Sequence, residues 1–281
     1  MLGHKLMQIF DNRFDAQGTV RGSASIYGNH PVLGGLSLHS DVQAENFDSI
    51  IEVIAIVKPD VVVNCIGIIK QHPNAKDPLR SIALNSFFPH RLARLCQASR
   101  ARMIHISTDC VFSGKKGNYS EDDFADPVDL YGQSKLLGEV KYPGCLTLRT
   151  SMIGRELKGR FGLIEWFLGQ KGKRVRGFAC AIYTGFTTLA LANLIGDIID
   201  NNPELSGLWH VSSDPISKYD LLGLVNQEFE LGVEIERDQI FNSDRSLNSA
   251  RFRTATGFKP PAWESMINQL ASDVTAYNRL V

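Results

Sequence analysis

Apolar runs of strand length alternate with segments of helical periodicity over the first half of the chain. Continuous apolar runs at residues 61–65, 103–107 and 145–149 are typical of buried parallel strands, and weaker strand signals occur at 20–23 and 33–38. Apolar residues recur at helical spacing over residues 2–14, 48–58, 79–99 and 131–141. This alternation predicts an α/β fold built on a doubly wound parallel sheet.

The regular alternation weakens after about residue 150, where basic and Pro-rich segments indicate loops. We therefore divide the chain into residues 1–150, which contain the parallel sheet, and residues 151–281, a smaller α/β lobe. Part of 187–212 is expected to pack back on the first unit, so the boundary at residue 150 is an approximation.

Composition narrows the functional class. The chain has 281 residues, of which 43% are hydrophobic, and its 30 basic and 30 acidic residues give zero formal net charge. This balance argues against a nucleic-acid partner or an anionic membrane surface. No apolar run approaches a transmembrane helix in length, and no signal-peptide pattern is present. The five cysteines lack metal-ligand spacing, so we expect no metal site and reduced thiols in a cytoplasmic protein.

Candidate chemistry follows the strand at 103–107. Thr108 comes directly after it, at the carboxyl edge where open α/β sheets bind ligands. Tyr131 and Lys135 are four residues apart, so they share one face of a helix. The lysine charge is expected to lower the pKa of the tyrosine from about 10 toward neutrality. Together the three side chains predict a proton-transfer site for a carbonyl or carbinol.

Longer motifs around these residues resemble the extended short-chain dehydrogenase/reductases, and within them the dTDP-4-dehydrorhamnose reductase family. The resemblance covers nearly the whole chain and rests on Ser107–Gly114, Tyr131–Glu139, Leu148–Ser151, Tyr183–Thr187 and Gly207–Ser212. It implies a Rossmann-type NAD(P)-binding domain over 1–150 and a substrate-binding lobe over 151–281. It also implies reduction of the 4-keto group of a nucleotide-linked deoxyhexulose, in the synthesis of cell-surface polysaccharide sugars. Thr108, Tyr131 and Lys135 are then the catalytic residues.

The start of the chain departs from this resemblance. Family members have a strand and two further glycines before a segment like this one, so Gly3 matches their third glycine and Leu2 lies in the phosphate loop. The first, mid-sheet strand is therefore expected to be missing, and we favour N-terminal truncation over replacement by another segment or subunit. An upstream start codon that restores a Gly-rich turn is the expected genomic finding.

Other positions are implied to contact the cofactor. Arg21 follows the second strand of the family, where a cation favours the 2′-phosphate, so we expect NADP(H) rather than NAD(H). The remaining positions are Asp41 and Val42 at the adenine, the backbone of Cys65, Ile66 and Gly67, and Ser151 near the nicotinamide. From the residues alone, Arg21 is equally a solvated charge and Asp41 a cap or turn residue.

Four residues are expected to contact the nucleotide sugar. Asp109 and Cys110 follow the catalytic threonine, Met152 follows Ser151, and Arg174 lies in a basic cluster suited to a diphosphate. Family members commonly have a tyrosine at the position of Cys110 and an aromatic residue at that of Met152. The difference puts dTDP-4-dehydrorhamnose itself in doubt and favours a UDP-linked 2-acetamido-4-hexulose.

Two other functional classes stay open. The chain also resembles the regulatory β subunit of methionine adenosyltransferase, which would make it a non-catalytic NADP-binding protein. It could also be a nucleotide-sugar epimerase or dehydratase, although a dehydratase normally has a carboxylate pair where this chain has Asp109 and Cys110. A homodimer is a further expectation.

Overall fold

The chain folds into parallel strands covered by helices on both faces. The computed structural model describes residues 1–71, 73–157, 159–273 and 277, without the side chains of 73 and 74. The strands are β1 (Gly18–Thr19), β2 (Leu38–His39), β3 (Val61–Asn64), β4 (Arg102–Ile106), β5 (Cys145–Arg149), β6 (Met152–Ile153), β7 (Arg174–Tyr183), β8 (Phe186–Thr187), β9 (Gly207–His210), β10 (Ile216–Ser217) and β11 (Glu234–Asp244). The helices are α1 (Leu2–Phe10), α2 (Phe47–Val57), α3 (Pro78–Ser81), α4 (Phe88–Ser99), α5 (Leu130–Leu137), α6 (Leu163–Leu168), α7 (Thr188–Asn201), α8 (Lys218–Glu228), α9 (Ala250–Thr256) and α10 (Trp263–Ala271).

The main sheet is parallel, with strand order β3-β4-β5-β9. Its side chains alternate between two cores, as the twofold period of a strand requires. Met103 and Cys145 pack with α2 and α4 on one face, whereas Ile104 and Leu146 pack with α1 and α7 on the other. Helices on both faces of a parallel sheet confirm the predicted doubly wound fold.

Strands β1 and β2 form a small parallel sheet separate from the main one. β1 and β2 pair only with each other, and among the described residues no ladder joins them to β3 at the edge of the main sheet. The boundaries here differ from the pattern-based ones, since α1 ends at Phe10 and β1 lies at 18–19 rather than 20–23. The shortness of these strands explains the difference, because a two-residue strand has too little periodicity for its ends to be located from the sequence.

The helix predicted over 79–99 contains a change of winding. α3 and α4 are joined by a π-helical segment, Ile82–Phe87. Asn85 lies in it, is 1% exposed, and bonds both to the backbone of Ile68 and to Ser134 on α5. Such π segments are frequent near functional sites. Here it brings α5 against the chain that follows β3.

The second half of the chain contributes to both parts of the molecule. β9 pairs with β5 in the main sheet, and α7 packs against α1. The other large element is the sheet β10-β7-β11, which α8 covers. Within the described residues, none of the helices is both long and apolar enough to cross a lipid bilayer.

Candidate active site

Helix α5 carries Tyr131 and Lys135 to the carboxyl end of the main sheet. Asp129 caps its N-terminus by accepting a hydrogen bond from the backbone N–H of Gly132 at 2.8 Å. Gly132 also allows close packing, because a Cβ there would overlap the carbonyl oxygen of Cys110. The glycine between the tyrosine and the lysine therefore seats the helix on the loop that follows β4.

Thr108 and Tyr131 meet at this point. Thr108 is 5% exposed, and its Oγ1 accepts from the Cys110 N–H at 3.1 Å, which closes the turn after β4. Burial has the largest effect on the pKa of the Tyr131 phenol, whereas Thr108 lies close enough to the side chain to act in the opposite, lowering direction. Burial raises the pKa of Tyr131 above its ordinary value, so the expectation of a pKa near neutrality is wrong for this arrangement. The phenol therefore keeps its proton at neutral pH.

Lys135 is buried beneath the same strand end. Its Nζ donates to the carbonyl oxygen of Ile106 at 2.7 Å, and the residue is 5% exposed. Burial lowers the pKa of Lys135 to about 8, whereas the carboxylate of Glu139 and the thiol of Cys65 act to raise it. The ammonium therefore titrates near physiological pH.

Asp109 and Cys110 follow Thr108 in the chain and lie beside it. Asp109 is buried, its Oδ1 accepts from Thr108 Oγ1 at 3.1 Å, and burial raises the pKa of its carboxyl group. Burial also raises the pKa of the Cys110 thiol to about 12, so Cys110 is a neutral packing group rather than a reactive thiolate at neutral pH.

The residues expected at the cofactor fall into two groups. Leu2 and Gly3 begin α1, and a Cβ added at Gly3 would lie 3.8 Å from Cβ of Cys65. Ile66 and Gly67 follow Cys65 at the end of β3, so these five residues share one edge of the sheet. Leu2 itself is buried in the core, so its backbone rather than its side chain is available to a ligand.

The second group lies at the end of the small β1–β2 sheet. The Asp41 N–H donates to Gly22 O at 3.1 Å and the Val42 N–H donates to Val20 O at 3.0 Å. These bonds place Asp41 and Val42 beside Arg21, which is exposed. Val42 is buried in the α2–α4 core.

Ser151, Met152 and Arg174 have different environments. Ser151 accepts a bond from the Phe186 N–H at 3.0 Å, and Met152 is half-buried at the start of β6. The structure does not bring Arg174 to the site. It is exposed at the beginning of β7, nine residues from the end of that strand near Asp109, and it pairs with Glu234 and Glu236.

Four residues near the site carry no role in the motif-based assignment. Glu139 accepts a bond from Ser107 Oγ at 2.7 Å, and Tyr183 is 8% exposed beside Ser151, Asp109 and Cys110. Lys218 and Arg245 both interact electrostatically with Asp109. Glu139 and Tyr183 lie inside the quoted motifs, whereas no pattern indicates that the distant Lys218 and Arg245 approach β4. No group of three or more metal-ligating side chains occurs in the part of the chain that is described.

The sequence of this chain is similar to those of named reductases. A dTDP-4-dehydrorhamnose reductase of Aggregatibacter actinomycetemcomitans is 23% identical over 256 residues, which cover 82% of this chain and 87% of that protein. Another, from Mycolicibacterium smegmatis, is 33% identical over 144 residues, covering 49% of this chain and 43% of that relative.

The fold is found in solved structures as well. The dTDP-4-dehydrorhamnose reductase of Bacillus anthracis in complex with NADP superposes with a TM-score of 0.73 at 19% identity, covering 92% of this chain and 98% of that one. The family model described as RmlD substrate binding domain matches residues 1–276. The chain therefore belongs to the RmlD substrate binding domain family.

Proposed function

We propose that this protein uses NADPH to reduce the 4-keto group of a nucleotide-linked deoxyhexulose for cell-surface polysaccharide. The observation that carries the proposal is the convergence of Thr108, Tyr131 and Lys135 at the end of β4. Membership of the family and the reductase relatives support the same reaction.

Tyr131 is the proton donor. Its raised pKa keeps the phenol protonated at neutral pH, which is the form that a ketone oxygen needs when it gains negative charge. Thr108 lies beside the phenol, and its hydroxyl, which bonds Asp109 Oδ1, can turn its single proton to the ketone oxygen as a second donor. Such a pair acts on the charge that develops in the transition state.

Lys135 stabilises the phenolate that remains after proton transfer. Its ammonium is held by Ile106 O, so its position is fixed before a substrate binds. A pKa of about 8 keeps most of the side chain cationic at pH 7. Because the two residues are four apart on α5, this charge lies on the helix face that also presents Tyr131.

The residues at the sheet edge fit a nicotinamide dinucleotide. Helix α1 has neither an acidic residue in its first turn nor a side-chain cap, so its first N–H groups suit a diphosphate. We assign Leu2, Gly3, Cys65, Ile66 and Gly67 to the dinucleotide. The bound nicotinamide supplies the hydride. Tyr131 and Lys135 also lie next to this edge, where Lys135 is close enough to Cys65 to interact with it.

NADP is preferred over NAD in this proposal. Arg21 is exposed beside Asp41 and Val42, where its guanidinium can pair with a 2′-phosphate.

Ser151 is assigned to the nicotinamide side, and Asp109, Cys110 and Met152 to the sugar. A neutral thiol at Cys110 and the flexible Met152 leave more room than aromatic residues, which favours a 2-acetamido sugar.

The family relation favours a homodimer in the cytoplasm. Leu79, Ile82, Phe87 and Leu137 are large exposed apolar side chains on the packed segments α3–α4 and α5. A second copy covering them would remove this apolar surface from water. All five cysteines are free, in keeping with a reducing compartment. Analytical sedimentation of the wild-type protein and of Phe87→Asp tests this dimer. We expect the wild-type protein to sediment as a dimer and Phe87→Asp to sediment as a monomer.

The reaction is tested by NADPH oxidation with dTDP- and UDP-linked 4-keto sugars, and product analysis establishes reduction at C4. We expect turnover with at least one 4-keto sugar and faster turnover with NADPH than with NADH. Epimerised or dehydrated product without net NADPH consumption, or tight binding of another protein without turnover on any sugar, would refute the assignment.

A further inference from the structure

Two cations from the second half of the chain interact electrostatically with Asp109, and neither forms an ion pair with a described carboxylate. Lys218 is half-buried, and no hydrogen bond or ion pair of its ammonium occurs with the residues that are described. Arg245 is also half-buried and donates its Nε to the carbonyl oxygen of Phe112 at 2.9 Å. That bond ties Arg245 to the turn containing Asp109 and leaves its terminal nitrogens for another group.

The register of the β10-β7-β11 sheet brings these two residues together. Ile182 of β7 pairs with Ser217 on one side and with Asp244 on the other. Because β10 runs antiparallel to β7 and β11 runs parallel to it, Lys218 follows β10 on the side of Ala181 and Arg245 follows β11 on the side of Tyr183. Neighbouring strands are about 4.8 Å apart and rise about 3.3 Å per residue, so the two backbones flank β7 at a separation of about 12 Å. Side chains of this length can reach one ligand between them.

Lys218 also occupies an electrostatically unfavourable position. It is the first residue of α8, after the capping Ser217, where the helix dipole opposes a cation. Burial lowers the pKa of Lys218, and the charges of Arg245 and Lys70 lower it further, against the opposing effect of Asp109. A position that conflicts with local preferences, and whose charge forms no ion pair with a described residue, is expected at a functional site.

We propose that Lys218 and Arg245 form the subsite for the diphosphate of the nucleotide-linked substrate. The inference rests on the proposed function and deepens it. Two separate cations match the two phosphoryl groups of a diphosphate, and Arg offers a planar pair of donors to one of them. In a nucleotide sugar the diphosphate is attached at C1, across the ring from C4. A subsite next to Asp109 therefore leaves C4 free to face Thr108 and Tyr131.

This assignment replaces the basic cluster at 171–176 as the diphosphate contact. Arg174 of that cluster is exposed, is already paired with Glu234 and Glu236, and lies at the opposite end of β7. Lys218 and Arg245, by contrast, lie at the end of β7 that approaches β4. The matched control is therefore Arg174→Gln.

Calorimetric titration of the NADPH-loaded protein with dTDP, UDP, GDP and CDP tests the subsite, with thymidine and uridine as ligands lacking phosphate. For the diphosphate that binds wild type best, we expect Lys218→Met and Arg245→Gln each to weaken binding at least tenfold. Arg174→Gln should leave it unchanged, and Lys218→Arg should retain most of it. Affinity for the nucleoside and for NADPH should stay constant in all variants.

Each alternative result has a defined meaning. If none of the four diphosphates binds wild type, or if Lys218→Met and Arg245→Gln bind as tightly as wild type, the subsite is wrong. Equal losses for diphosphate and nucleoside would also overturn it, because they would indicate a general change of structure. Diphosphate binding that depends on both cations, without reduction of any 4-keto sugar, would support the subsite and refute the proposed reaction.

Discussion

Glu139 and Arg149 form a two-pronged ion pair buried directly beneath the candidate active site. Arg149 Nε donates to Glu139 Oε1 at 2.7 Å and Nη2 donates to Oε2 at 2.8 Å, with side-chain exposures of 6% and 4%. Ser107 Oγ donates to the same Oε1, and Ser107 immediately precedes Thr108. The pair therefore anchors the end of β4 to α5 and β5.

Removing one member of this pair is expected to be costly, because the other charge stays buried without its partner. We predict that Arg149→Met or Glu139→Ala lowers the free energy of unfolding by about 3–5 kcal/mol, measured by urea denaturation. Glu234→Gln, which breaks an exposed pair with Arg174, serves as the control and should leave the transition unchanged. Equal stability of the Arg149 variant and wild type would show that the pair is dispensable.

The reaction rate should depend on the ionisation of Lys135. Because burial lowers the pKa of Lys135 to about 8, its cationic form is lost as pH rises through that value, and kcat should fall on the alkaline side. Glu139 raises this pKa, so Glu139→Gln should move the alkaline limb to lower pH. Glu264→Gln, on α10 and not among the groups that act on the pKa of Lys135, should not move it. An alkaline limb at the same pH in both variants would contradict the assignment.

Two glycines with different surroundings provide a matched pair. Gly132→Ala in α5 would place a Cβ against Cys110 O, so we predict loss of both stability and turnover. Gly223→Ala in α8 meets no atom within 4 Å and should stabilise the protein by roughly 0.5–1 kcal/mol through its better helix propensity. Thermal unfolding of both variants checks the contrast, which fails if Gly132→Ala is as stable as wild type.

Cofactor preference should depend on Arg21. If its guanidinium pairs with the 2′-phosphate, Arg21→Ala should weaken NADPH binding about tenfold or more and leave NADH binding unchanged, because only NADPH carries that phosphate. Fluorescence titration with both cofactors measures the ratio. Arg80→Ala, at an exposed position on α3, is the control. Parallel losses for NADPH and NADH would remove Arg21 from the cofactor site.

Much of the fold follows from local patterns in the sequence. The runs at 61–65, 103–107 and 145–149 are strands of the main sheet because continuous burial leaves an unbroken apolar signal. Two-residue strands such as β1 and β6 carry no such signal. The helical pattern also does not predict the π-helical winding at 82–87, because that winding depends on the hydrogen bonds of Asn85 to distant residues.

The site shows a similar division. Tyr131 and Lys135 share a helix, so their relation follows from spacing. Lys218 and Arg245 are brought to Asp109 by the register of a sheet whose strands lie far apart in sequence, which no local pattern encodes. The sign of the Tyr131 pKa shift also depends on tertiary structure, because burial raises this pKa and outweighs the lowering effect of Thr108.

Proton donation by Tyr131 is tested most directly by single-turnover NADPH oxidation with Tyr131→Phe, which keeps the ring and removes the proton. We predict that the rate falls by about 10² to 10⁴ with unchanged NADPH affinity, whereas Tyr142→Phe, whose hydroxyl bonds His90 away from the site, keeps the wild-type rate. A Tyr131→Phe protein that reduces the 4-keto sugar at the wild-type rate would contradict the account.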